Sequence, residues 1–112
     1  MQPRDPRVFL WDVSEAAHAI ETFTMGMNAQ SYADSVLVNA AVEREFEIIG
    51  DALNQLPKSD AAMAARILEV PKIVAFRNKL IHSYAGIDSS LVWNIAQKSL
   101  PDELNSAYTL YI

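Results

Sequence analysis

Cysteine is absent from the 112 residues, which excludes a disulfide scaffold, a thiol nucleophile and a thiolate metal site. Glycine is scarce, with three in the whole chain, and no glycine-rich loop of the phosphate-cradling kind is present. There is no Asn-Gly or Asp-Gly dipeptide and no run of alternating β-branched residues, so the strand and hairpin signature is missing. No apolar run approaches the roughly 18 residues of a membrane span. No apolar h-region follows Met1-Gln2-Pro3-Arg4-Asp5-Pro6, so no signal peptide is expected and the cytoplasm is the expected compartment. Positive charge is also short. A net charge of −5 argues against indiscriminate nucleic-acid binding, which needs a broad cationic surface.

What is present is a chain about half apolar (51%), with room for one domain over residues 1–112 and a core small enough to gain from a partner subunit. The apolar residues recur at three and four, which predicts an all-α fold, an antiparallel helical bundle of four to five helices. Asp5-Pro6 is a helix start. Phe9, Val13, Ala16, Ile20, Phe23 and Met27 form the stripe of a first long helix. A short turn over residues 29–34 follows. Val38, Val42, Phe46, Ile49, Leu53 and Leu56 form the stripe of a second long helix that Pro57 is expected to stop. Asp60 caps an alanine-rich helix to about Leu68. Pro71 opens a helix with Ile73, Phe76, Leu80 and Ile81 inward, ending near Tyr84. A last segment, capped by Asp88, carries Leu91, Val92, Ile95 and Leu104, with Pro101 as a kink or break.

Few residues can carry chemistry. Glu15 and His18 have the Glu-x-x-His spacing of di-iron bundles, but such sites need a second motif, and the other histidine, His82, has Lys79 three residues before it. No metal site is therefore expected, nor a cofactor. Trp11, Trp93, Tyr108 and Tyr111 fit core packing or a helix interface. Ser83, His82 and Asp88 suggest a triad on paper only, since no nucleophile elbow marks it. The charge distribution is more informative. Residues 1–50 carry three basic and eight acidic side chains, residues 51–112 six of each. Arg66, Lys72, Arg77 and Lys79 stand against Glu69 alone in the segment leading to His82. A local anion site fits there, although most such runs are solvated faces.

The stretch Arg77-Asn78-Lys79-Leu80-Ile81-His82-Ser83-Tyr84 combines a permanent cation, an amide, an imidazole and a phenol. At about 100° per residue, Asn78 and His82 share a helix face, while Arg77 and His82 lie about 140° apart. One straight helix does not aim both at one atom. Either the helix ends between them or a two-fold dimer brings two copies together. The plain alternative is a surface Arg and a C-terminal His favoured by the helix dipole.

This stretch, with Gly86-Ile87-Asp88 and Trp93, resembles the HEPN superfamily, and within it the HepT-like ribonuclease toxins that pair with a minimal nucleotidyltransferase antitoxin. Asp5-Pro6-Arg7-Val8, Val42-Glu43-Arg44, Phe46-Glu47-Ile48-Ile49-Gly50, and Val92-Trp93-Asn94-Ile95 leading to Leu100-Pro101 extend the likeness over nearly the whole chain. The resemblance implies a two-fold dimer with two motifs lining one cleft and metal-independent RNA cleavage. Arg77, His82 and Asn78 would be the catalytic residues. Tyr84 would be where the antitoxin adds AMP, and Lys72 and Lys79 are candidate RNA contacts. Two other functions fit the same fold, a module that binds a nucleotide or the nucleotidyltransferase without cutting, and a structural adaptor. An adaptor has no need of Arg77, Asn78, His82 and Tyr84 together.

Overall fold

Helix α1, Pro6–Thr24, begins where capping chemistry puts it. The Asp5 carboxylate accepts the Arg7 backbone N–H at 2.9 Å, and Pro6 sits in the first turn, where its missing N–H costs nothing. The computed structural model describes residues 5–67, 70–82 and 88–102. Phe9, Leu10, Val13, Ala16, Ala17 and Ile20 are buried along α1. The expected stripe continues to Phe23 and Met27, but α1 turns Thr24 inward instead, its hydroxyl donating to the Ile20 carbonyl at 2.8 Å. Phe23 is left 39% exposed, and Met27 lies past the helix end. Gly26, at φ 77°, takes a left-handed conformation that L side chains resist.

Two segments follow with side-chain caps. Asn28 and Ser31 make a reciprocal capping box at the head of α2, Ala29–Asp34. Ser35 caps α3, Val36–Ser59. Pro57 does not stop α3, contrary to the sequence expectation. A proline removes one N–H bond and crowds the carbonyl four residues before it. Only two helical residues remain beyond it, and the Asp60 N–H still reaches the Leu56 carbonyl at 2.8 Å. Asp60 then caps α4, Ala61–Ala64, a single turn where a longer helix was expected.

Helix α5, Val70–His82, buries Ile73, Phe76 and Leu80. Ile81, expected inward, is 40% exposed, because it sits about 100° round from Leu80. Helix α6, Ser89–Asn94, is capped by Asp88. It runs into a π-helical turn, Ile95–Ser99, where the Leu100 N–H bonds the Ile95 carbonyl. The widened turn directly precedes Pro101, which, with Asp102, is still helical.

Helix α3 is the centre of the fold, with α1 and α5 both packed on it. Val42, Phe46, Ile49, Leu53 and Leu56 are each at most 1% exposed. Phe46 meets Phe76 of α5 edge-on, ring centroids 5.2 Å apart at 86°, an arrangement aromatic quadrupoles favour. Helix α6 packs on α2, where Tyr32 and Trp93 lie with centroids 5.5 Å apart. Burial, with a smaller contribution from Glu43, pushes the Tyr32 phenol up to about 12. The fold is all-α, with no strand among the described residues. No helix among them is long and apolar enough to cross a membrane.

Candidate active site on helix α5

Helix α5 is continuous through Arg77 and His82. That removes one of the two ways those residues can converge, since the helix does not end between them. Phe76 and Leu80 anchor α5 on α3, and this register puts the neighbouring Arg77 at the helix–helix boundary. The Arg77 stem lies across Gly50 of α3. A Cβ built on Gly50 would overlap the Arg77 Cβ and Cγ, so the approach is possible only because Gly50 has no side chain.

The guanidinium is fixed at two points. Its Nη2 pairs with Asp51 Oδ1 at 2.5 Å, and its Nη1 donates to Asn78 Oδ1 at 2.8 Å. Its Nε is buried with no hydrogen-bond partner among the described residues. The Arg77 side chain is 23% exposed and that of Asp51 46%, so the group reaches solvent with its donors partly committed. A guanidinium carries five N–H donors. Among the described residues one is donated to Asn78, and Asp51 lies against the other terminal nitrogen, so the guanidinium has more donors than these two contacts use.

His82 is exposed at the C-terminal end of α5, as are Asn78, Lys79 and Lys72 along the helix. Lys72, Lys79 and His82 fall within about 80° of one another, on the side away from Arg77. Asp88 faces Lys79 electrostatically. Its carboxyl is held below the usual range chiefly by the Ser90 hydroxyl and backbone N–H, with a smaller contribution from Lys79. The structure therefore brings Arg77 and Asn78 into contact and leaves the imidazole and two lysines on an open face. Tyr84 and Ser83 lie outside the described residues, as do Leu104, Tyr108 and Tyr111.

Other expected features play no part here. His18 points to solvent, 4.0 Å from Glu21 on the same helix. A depression of about 530 Å³ is lined, among the described residues, by Asp5, Arg7, Val8 and Trp11. It contains none of the predicted site residues, and the chemistry of α5 outweighs its size. Sequence reasoning missed Gly50 and Asp51. The available signal was a glycine inside a long helix, where it costs about 1 kcal/mol relative to alanine and so marks a close approach.

A cation, an amide and an imidazole on one helix of an all-α domain define a helical protein equipped to hold an anion and exchange a proton. The chain belongs to the HepT-like ribonuclease family: the family described as Ribonuclease HepT-like matches residues 13–107. It is 32% identical over 102 residues to "Putative RNase MJ1216" of Methanocaldococcus jannaschii, covering 91% of this chain and 84% of that one. It is 33% identical to "Putative RNase MJ1380" of the same organism, covering 90% and 92%. It is 30% identical to "Probable ribonuclease HepT" of Thermococcus cleftensis, covering 88% of each. No solved structure matches the chain.

Proposed function

We propose that this chain is a metal-independent endoribonuclease, the toxin of a toxin–antitoxin module whose antitoxin is a minimal nucleotidyltransferase. Family membership supports the ribonuclease reading. The observation that carries the site is Arg77 held at two points, partly exposed, on the helix that also carries an exposed His82. The guanidinium would bind the scissile phosphate and stabilise the charge that builds on its oxygens. His82 would take the proton of the ribose 2′-OH as that oxygen attacks phosphorus, or return one to the 5′-oxygen as the P–O5′ bond breaks. Asn78 would orient the guanidinium it already accepts from. Restriction to RNA follows from the 2′-OH nucleophile. Lys72 and Lys79 would contact neighbouring phosphates. Incubating the purified chain with RNA in EDTA tests the reading: cleavage is expected, and a strict requirement for added magnesium or manganese would overturn it.

An unbroken α5 keeps Arg77 and His82 of one chain on diverging faces, which supports a cleft shared by two copies. A two-fold homodimer is expected, with the two Arg77–His82 segments facing each other. Light scattering checks this, and a fully active monomer at micromolar concentration would exclude it.

Control would act at Tyr84, two residues past His82. The partner nucleotidyltransferase would transfer AMP from ATP to the phenol oxygen, releasing pyrophosphate. Each AMP brings a phosphodiester charge that would compete with RNA for Arg77, and an adenosine that would fill the cleft. Tyr84→Phe is expected to cleave RNA normally and to escape neutralisation. Peptide mass spectrometry after incubation with the partner and ATP decides it, and AMP found on another residue would remove Tyr84 from this role.

A further inference from the structure

Cleavage as proposed needs Arg77 to present its guanidinium in one place, and two residues of α3 lie against that side chain. The guanidinium does not float over the surface. Its stem is laid across a gap in α3 that exists only because residue 50 is glycine. Its far end is tied to Asp51, the very next residue. Two adjacent residues of one rigid helix therefore set both the path of the side chain and the angle of its head. Neither residue is on the helix that carries the motif.

We propose that Gly50 and Asp51 are positioning residues for Arg77, forming a seat that holds the guanidinium ready for phosphate. This rests on Arg77 being the phosphate-binding group. The opposite role for Asp51 is an internal anion that occupies Arg77 until RNA displaces it. Donor bookkeeping argues against that role. Asp51 lies against one terminal nitrogen and Asn78 accepts from the other, and a guanidinium with five N–H groups has capacity for an anion beside them. Asp51 is also nearly half exposed, so it keeps much of its hydration and does not seal the group from solvent. A fixed fork is worth more in the reaction than a mobile one, because its orientation has been set before substrate arrives.

Asp51→Asn keeps the size of the side chain and removes its charge. A seat predicts a split result. The single-turnover cleavage rate should fall about 10- to 100-fold, the usual consequence of a misplaced catalytic group. The affinity for RNA should stay within about threefold or tighten, because a negative charge has left the site. A blocking anion predicts faster cleavage with tighter binding, and that result would overturn the proposal, as would a variant unchanged in both. Gly50→Ala should slow cleavage with Asp51 intact, since its Cβ displaces the Arg77 stem, and circular dichroism melting checks that each variant remains folded.

The seat can also be read without RNA. In the full-length wild-type chain, the Arg77 guanidinium should give resolved ¹H–¹⁵N side-chain signals from hindered rotation, and Asp51→Asn should average them. Averaged signals in the wild type would overturn the proposal. If the wild-type chain cut no RNA, the functional reading would fail, and the arginine spectra would still decide whether the seat exists.

Discussion

His82→Ala is expected to lower the rate of RNA cleavage by about 10²–10⁴, the usual worth of a positioned general acid–base. The loss should be chemical rather than structural. His82 is exposed at the end of α5 and belongs to no buried cluster. Removing an exposed side chain of this kind usually changes stability by no more than about 0.5 kcal/mol. The thermal midpoint should therefore hardly move while the single-turnover rate collapses. RNA affinity should change little, because under the proposed mechanism Arg77 and the lysines would supply the phosphate contacts. A loss of less than about tenfold would show that proton transfer in this site is carried by another group.

The separation of these two effects depends on how the fold places the motif, and much of that placement was legible in the sequence. Stripes at three and four identified α1, α3 and α5, because a helix buried on one side must repeat its apolar residues at that period. Asp5, Asp60 and Asp88 were readable as caps for the same local reason. Errors collected at element ends and prolines. Thr24, Phe23 and Ile81 depend on how the flanking helices are rotated, which no single segment encodes. Pro57 reads as a helix stop and Pro101 as a kink or break, but a proline near the end of a helix, or next to a widened turn, can be carried by the surrounding bonds. At the candidate site, Arg77, Asn78 and His82 could be named as candidates from composition and spacing together with the family resemblance. Asp51 could not. Its partnership with Arg77 joins residues 26 apart in sequence, and it follows from the packing of α3 on α5 around Phe46 and Phe76. Only Gly50, out of place in a long helix, hinted at that contact.

Arg77→Ala should cost about 3–4 kcal/mol of transition-state stabilisation, close to 10²–10³ in kcat/KM, if the guanidinium acts like a preorganised oxyanion donor. Unlike His82, this residue is tied into the fold, so the variant has a second consequence. The stem that covers Gly50 disappears, and Asp51 loses its partner. Asp51 is 46% exposed, so solvent can take over much of that charge and the fold should survive with a modest loss. Arg77→Lys separates charge from geometry. An ammonium keeps the charge but has no planar fork, and it is drawn to the nearest carboxylate as a point charge. Beside Asp51 it would present no fork to Asn78 or to a phosphate, while its charge would still attract RNA. Arg77→Lys is therefore expected to recover less than about tenfold of the activity lost in Arg77→Ala, while recovering more of the RNA affinity. Steady-state kinetics and a binding titration on the same RNA distinguish the two quantities. Near-complete rescue of kcat by lysine would mean that the site needs only a positive charge near residue 77, and the two-point hold on the guanidinium would then have no part in the reaction.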